Sequence, residues 1–530
     1  MSAAIFLAAP ADPIPAPSVD LTVVMPVLIV LGAACVSVLV EALLPRASRY
    51  LSQVVLTLVA LLAAGVWTVY QALDGRYGVT FSGAMAVDQA TYVMWGVLLV
   101  LAIPCVLMMA DKVAEPGGAF VAQASARVGS ARDRAASAVA TPMQTEVFPL
   151  TLFAVGGMLV FPAASDLLTL FVALEVLSLP LYLMCGLARR RRLISQEAAV
   201  KYFLLGAFTS AILLYGIALL YGYAGSIKFA DIAKVSQAGS GSDTLVLAGI
   251  ALLSVGLLFK ASVGPFHLWT PDVYQGAPTP VTAFMAACTK VAAFAAMLRV
   301  FAVAVEPLQT SWRPVLYVIA AVSMMIGAII GITQTDMKRV LAYSSVAHAG
   351  FIILGVMALS DKGAQGVMVY LITYGFATVG AFAILTLVRR GNGEASHMGD
   401  WAGLAKRSPV LAAAMSLFLL SFLGIPLTGG FIGKLTVFTA AMDAGMGWLV
   451  VVAMVATAIT AFFYLKIVVM MYFSTPEPAE SGTGNGPVYV VVPSALTTIA
   501  IGVSVLAVLA FGIAPSWFLD LLQVPFPLSS

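Results

Sequence analysis

Runs of about twenty apolar residues recur along the whole chain, and that repetition limits the fold more than any other feature of the sequence. Backbone amides cannot be left unpaired in hydrocarbon, so runs of this length read as α-helices that cross a bilayer. Fourteen are predicted, near residues 22–44, 51–73, 87–110, 146–163, 165–188, 198–224, 244–263, 279–304, 313–334, 338–358, 365–388, 409–428, 446–473 and 488–513. Hydrophobic residues make up 61% of the 530 and charged residues 10%, too little polar surface to cover a water-soluble domain of this length. The fold class is therefore all-α, a polytopic membrane protein solvated by a lipid bilayer.

The opening MSAAIFLAAPADPIPAP has no basic segment before its apolar run, and its prolines favour an extended tail over a cleaved signal peptide. Cys35, Cys105, Cys185 and Cys288 all fall inside predicted spans with no CxxC spacing, so they read as small core residues, and no metal or cofactor is expected in this chain. One set of alternate loops carries sixteen cations: Arg46 and Arg49; Lys112, Arg127, Arg132 and Arg134; Arg189 to Arg192; Lys338 and Arg339; and Arg389, Arg390, Lys406 and Arg407. The other set carries six: Arg76, Lys228, Lys234, Arg299, Arg313 and Lys362. The first set is expected to face the cytoplasm, with both termini on the other side of the plasma membrane. The net charge of +3 follows from this topology, and no nucleic-acid partner is indicated.

Five lysines remain, within or at the edge of spans: Lys201, Lys260, Lys290, Lys434 and Lys466. A cation in the bilayer costs several kcal/mol, so such a residue lines a polar interior and is either paired or functional. Lys260, Lys290 and Lys434 have apolar neighbours on both sides and read as functional, whereas Lys201 is close enough to a span start to snorkel. Glu175 supplies a carboxylate at similar depth. Glu41 reads as interfacial, and His348 as either a packing residue or a proton relay.

Two spans are interrupted by proline and glycine, the seventh at KASVGPFHLWTPDVYQGAPTP and the twelfth at SFLGIPLTGGFIGKL. Proline removes an intrahelical hydrogen bond and glycine tolerates the unwound backbone, which survives at membrane depth only where protein or a wet cavity surrounds it. Counted from the fourth span or from the ninth, the break falls in the fourth helix of a five-helix set. An odd number of crossings turns the second copy upside down, giving two inverted repeats over 146–304 and 313–473. Residues 1–145 then hold the tail, three spans and a loop at 111–145, and residues 474–530 a loop, the last span and a tail. Lys260 stands just before the first broken proline, Pro265, and Lys434 just after the second, Pro426.

SDLLTLFVALEVLSLPLYLM, KASVGPFHLWTPDVYQGAPTPV, QTDMKRVLAYSSVAHAG and GIPLTGGFIGK together resemble the proton-translocating antiporter-like subunits of respiratory complex I, the NADH:quinone oxidoreductase. The resemblance runs from about the fourth span to the thirteenth. Within that family the chain looks most like the N-type members: no long lateral helix of the L type is expected after the last span, and position 434 holds lysine where the M type is expected to carry glutamate. The Ala/Ser/Arg-rich segment 111–145 departs from the family pattern and reads as a cytoplasmic hairpin, amphipathic or disordered.

The resemblance implies that Glu175 and Lys260 form a coupled pair, that Lys290 is the central lysine, that Lys434 serves the second half-channel, and that Lys201 and His348 are intermediate relays. Quinone reduction elsewhere in the assembly would weaken the Glu175–Lys260 pair and send the lysine's proton towards Lys290 and then Lys434. The expected partners are other complex I subunits, the bilayer and protons. FMN, iron–sulfur clusters and quinone are expected in the complex, with no redox site in this chain. His267, Trp269 and Asp272 read as a turn and interfacial anchor, with proton uptake a second reading for His267. A subunit of a multisubunit cation/proton antiporter or of a membrane-bound hydrogenase would share the same features, and a spacer with merely paired lysines is the rival of another class.

Overall fold

A computed structural model describes residues 19–115, 117–121, 130–131, 144–239, 241–391, 393–475, 487–523 and 525. The tail at 1–17 and most of the 111–145 insertion, with its expected hairpin, lie outside the described residues. The spans are α1 (Met25–Leu43), α2 (Arg46–Asp74), α3 (Gln89–Ala110), α4 (Val147–Ala163), α5 (Leu167–Cys185), α6 (Arg192–Ala224), a broken pair α7 (Asp243–Lys260) and α8 (Trp269–Gly276), and α9 (Thr279–Ala304). They continue as α10 (Gln309–Thr333), α11 (Met337–Ala358), α12 (Asp361–Leu387), a second broken pair α13 (Pro409–Leu423) and α14 (Gly429–Asp443), α15 (Gly447–Phe473) and α16 (Ala495–Ile513). Twelve described helices are long and apolar enough to cross a membrane, and the shorter apolar α4 and α13 bring the number of crossings to fourteen. α2 and α6 start ahead of their apolar runs because polar first turns continue the helix past the hydrocarbon edge.

The five-helix units are marked by more than their breaks. Asp166 caps α5 by accepting from the Thr169 amide at 2.7 Å, and Asp336 caps α11 by accepting from Lys338 and Arg339. Beside each cap the chain pairs with the segment after the unit's third helix. Leu167 donates to Ile227 and Phe229 to Ser165 in the first unit, Met337 to Ser396 and Met398 to Thr335 in the second. α5 and α11 are the fifth and tenth crossings and run in opposite directions, as an inverted repeat requires.

At the first break Ser262 lies in the left-handed region at φ 61°, and at the second Gly424 and Leu427 do so at φ 87° and 70°. For Ser262 and Leu427 that is a strained backbone held by its surroundings. A Cβ at Gly430 would collide with the Ser421 carbonyl, so glycine is what lets α14 begin against the end of α13.

Several expectations are corrected. Arg299 is not a loop cation: it lies in α9, 2% exposed, where it donates to the Pro162 carbonyl and pairs with Asp88 at 2.9 Å. Its removal leaves five cations on the less basic side. Cys35 is exposed on α1 rather than packed in the core. Trp269 is no interfacial anchor, being 1% exposed and stacked on Tyr202 with ring centroids 4.6 Å apart. Lys466 faces outward from α15. Glu41 pairs with Arg49 at 3.2 Å and accepts from Gln53 and Thr145, which ties the ends of α1 and α2 to the approach to α4.

Candidate functional site

Lys260, Lys290 and Lys434 are 3%, 1% and 6% exposed, each deep among helices of the two units. Burying an ammonium group is costly unless its three donors are satisfied, so its partners define what it can do.

Lys260 is the last residue of α7, where the helix's negative dipole end favours a cation. Its Nζ donates to Ser178 Oγ at 2.8 Å and to Tyr202 OH at 3.0 Å. Trp269, stacked on Tyr202, donates to the Phe259 carbonyl at 3.0 Å, which also accepts from the Ser262 amide, and so binds α8 back onto the end of α7. Glu175, Ser178 and Tyr182 share one face of α5 by their spacing of three and four residues. Ser178, Tyr182, Thr209, Ser210 and Lys260 line a small cleft between α5, α6 and α7. Among the described residues no carboxylate lies within 4 Å of Lys260 Nζ, and a buried oxygen of Glu175 accepts no hydrogen bond. Glu175 and Lys260 are thus not in direct contact, and the lysine bonds instead to Ser178, three residues further along α5.

Lys290 follows a π-helical turn at Met285–Thr289. Such turns cluster at functional sites because the extra residue turns side chains out of the regular register. Its Nζ donates to the Ser345 carbonyl of α11 and lies 5.3 Å from the Tyr374 ring centroid. Lys434, in the second turn of α14, reaches back across the break to donate to the Leu423 carbonyl at 2.9 Å and to Thr457 Oγ1 at 3.3 Å, with Phe351 4.9 Å below. Both lysines at the breaks therefore sit at the C-terminal end of the first half-helix, one by chain position and one by reach.

His348 lies in the space between Lys290 and Lys434 and is bonded on both ring nitrogens: Nδ1 to Tyr370 OH at 2.6 Å and Nε2 to Tyr464 OH at 3.3 Å. Tyr464 OH also bonds Ser344 Oγ, so a continuous hydroxyl–imidazole chain crosses α11, α12 and α15. Lys201 is apart from this core, its side chain 42% exposed and ion-paired with Glu197 and Asp272 at 2.7 Å each. Asp272 also holds Arg339 at 2.7 Å. His267 is buried with Nδ1 unpartnered among the described residues. The hydroxyls of Ser178, Tyr202, Tyr370 and Tyr464 escaped the sequence reading. Their only signal was polar atoms inside otherwise apolar helices.

A family model described as NADH:quinone oxidoreductase/Mrp antiporter, TM, matches residues 164–460. NADH-quinone oxidoreductase subunit N of Saccharopolyspora erythraea is 58% identical over 507 residues, covering 95% of this chain and 97% of that protein. The chain belongs to the NADH-quinone oxidoreductase subunit N family. Subunit N of Rhodococcus opacus is 52% identical, covering 98% of both chains. A chain of respiratory complex I from Thermus thermophilus superposes with a TM-score of 0.75 at 32% identity, over 94% of this chain and all of that one. A chain of the Mrp complex from Dietzia sp. superposes with a TM-score of 0.76 at 24% identity, over 94% of this chain and 96% of that one, a likeness of fold. The matched segment contains Glu175, Lys201, Lys260, Lys290, His348 and Lys434, while Lys466 lies beyond it.

Proposed function

We propose that the chain is a proton-translocating subunit in the membrane arm of NADH:quinone oxidoreductase, with the face rich in Lys and Arg towards the cytoplasm and both termini on the other side of the plasma membrane. FMN, the iron–sulfur clusters and the quinone belong to other subunits, and this chain contributes acid–base groups alone. The observation that carries this reading is that Lys260, Lys290 and Lys434 are solvated by hydroxyls, backbone carbonyls and ring faces instead of carboxylates. A lysine locked to a carboxylate is a fixed ion pair, whereas one held by neutral oxygens can give up its proton and leave the acceptors satisfied by water.

In this reading a proton reaches the basic face near Asp272 and Lys201, and Lys260 takes it up beside Tyr202. A change in charge near Glu175 alters the field at Lys260 without a contact being broken, and the proton moves to Lys290. From there His348, with Tyr370 and Tyr464 on its two nitrogens, passes a proton by accepting on one nitrogen and releasing from the other. Lys434 receives it at the end of α13. Coulomb energy between buried groups falls slowly with distance, so the row responds as one coupled set.

Lys260→Ala and Lys434→Ala in the assembled complex test the proposal, with protons pumped per NADH oxidised as the readout. A lowered ratio is expected. An assembled complex with an unchanged ratio favours the spacer reading.

A further inference from the structure

The first residues of the 111–145 insertion are tied into the molecule's basic face. Val121 donates to the Leu187 carbonyl at 2.8 Å and Arg189 to the Ala119 carbonyl at 2.9 Å, so the segment lies along the loop between α5 and α6. Arg189 Nη1 also donates to the Gly117 carbonyl at 2.9 Å. Glu115, 7% exposed, turns inward between two arginines, with Oε1 3.3 Å from Arg190 Nε and Oε2 3.5 Å from Arg389. Arg190 belongs to the first five-helix unit and Arg389 to the strand Val388–Arg390 that follows α12 in the second.

The connection continues to α9. Arg389 stands opposite Glu394 in a two-strand antiparallel register. Glu394 pairs with Lys338 at 2.8 Å and accepts from Thr279 Oγ1 at 2.5 Å. Lys338 in turn donates to the Ala277 carbonyl at 3.2 Å. The corner between α8 and α9 is therefore held on both sides by the Glu394–Lys338 pair, and Thr279 is the first residue of the helix that carries Lys290. The π-helical turn at Met285–Thr289 lies between them, a point at which helix register can shift. A fixed start to α9 thus fixes where Lys290 stands.

We propose that Glu115 is a positioning residue that clasps the loops of the two units together and, through Arg389 and Glu394, sets the register of α9 at Lys290. The proposal rests on the reading of Lys290 as a proton carrier. The Glu115–Arg190 contact has ion-pair distance without hydrogen-bond geometry, so it holds by charge and is undone by one proton. The charges that face Glu115 are Arg389 and Glu394 from the second unit and Arg190 and Arg189 from the first. Burial pushes its carboxyl above the usual range, against Arg389, while Glu394 adds to the rise and the other two arginines oppose it. Burial acts the same way on Glu394 but is outweighed, chiefly by Lys338, and that carboxyl stays below the usual range. As pH on the basic face falls, Glu115 is protonated first and the clasp opens from its end, with Glu394 still charged.

Glu115→Gln in the intact complex imitates the protonated clasp. Amide exchange across residues 279–289, corrected for the intrinsic effect of pH, is expected to be at least about tenfold faster than in the wild type at neutral pH, because part of the cost of losing a buried charge pair is felt at the start of α9. Protons pumped per NADH are expected to fall with NADH oxidation retained. The wild type, needing no variant, is expected to approach the variant's exchange rate on acidification of the basic face. Exchange that does not respond to pH in the wild type overturns the proposal, and so does faster exchange in the variant with an unchanged proton ratio. A normal ratio in Lys290→Met would instead remove the reading beneath it while leaving the exchange result standing.

Discussion

Lys434 Nζ donates to the Leu423 carbonyl at 2.9 Å across the gap between α13 and α14, joining the start of one half-helix to the end of the other. Lys260 occupies the same electrostatic place in the other unit as the final residue of α7. At the second break a carbonyl that would be left bare in hydrocarbon is closed by the ammonium group, whereas at the first the α7 carbonyls are taken by backbone amides and by Trp269, and the ammonium adds only its charge at the negative end of the helix. The closure has a structural use, so a test must separate charge from proton release. Lys434→Arg does so, because guanidinium keeps the charge and donors but does not deprotonate. The complex is expected to assemble and oxidise NADH while pumping fewer protons, and full pumping in this variant would assign Lys434 a structural role.

Asp88 and Arg299 predict a different behaviour. Their pair, with Arg299 also on Thr91 Oγ1 at 2.8 Å and the Pro162 carbonyl, joins α3, α4 and α9 some two and a half turns, about 13 Å, along α9 from Lys290. Arg299→Ala removes one side of a largely buried pair, leaves Asp88 with its bonds from Thr91, and should cost at most about 3–5 kcal/mol. Lower thermal stability of the purified complex, with a normal proton ratio in whatever remains assembled, is the expected result.

Trp269 fills the space between Tyr202 and Phe259. Trp269→Ala should destabilise the first unit by about 3–5 kcal/mol, while Trp269→Phe keeps most of the packing and loses only the bond to the Phe259 carbonyl, about 1 kcal/mol. Thermal melting of the two variants checks the order.

Tyr464→Phe removes the hydroxyl shared by Ser344 and His348 while keeping the ring. If the chain through His348 carries protons, pumping slows while the melting temperature falls by no more than the loss of about two ordinary hydrogen bonds allows, roughly 1–3 kcal/mol. An unaltered pumping rate would leave His348 as a packing residue.

Helix number, the two breaks and the depth of the lysines were legible because apolar length, proline and glycine act locally. What holds the lysines was not. Ser178 and Tyr202 lie 82 and 58 residues from Lys260, and a hydroxyl in an apolar helix looks the same whether it bonds its own backbone or a distant amine. Arg299 was misassigned because it is near a span end and its partner, Asp88, is 211 residues away. Trp269 was misread because tryptophan is enriched at interfaces, a preference that says nothing of a half-helix folded inward. Glu175 and Lys260 were paired through the family resemblance, and only coordinates reveal that the lysine bonds to Ser178, three residues further along α5.

Lys290 offers the most direct test of the row. Among the described residues its side-chain amine has one hydrogen-bond partner, the Ser345 carbonyl, so Lys290→Met keeps the length of the side chain and strands no charge. Protons translocated per NADH oxidised, measured for the assembled variant in proteoliposomes, should fall below the wild-type ratio while NADH oxidation continues. An assembled Lys290→Met complex that pumps at the wild-type ratio would contradict the account.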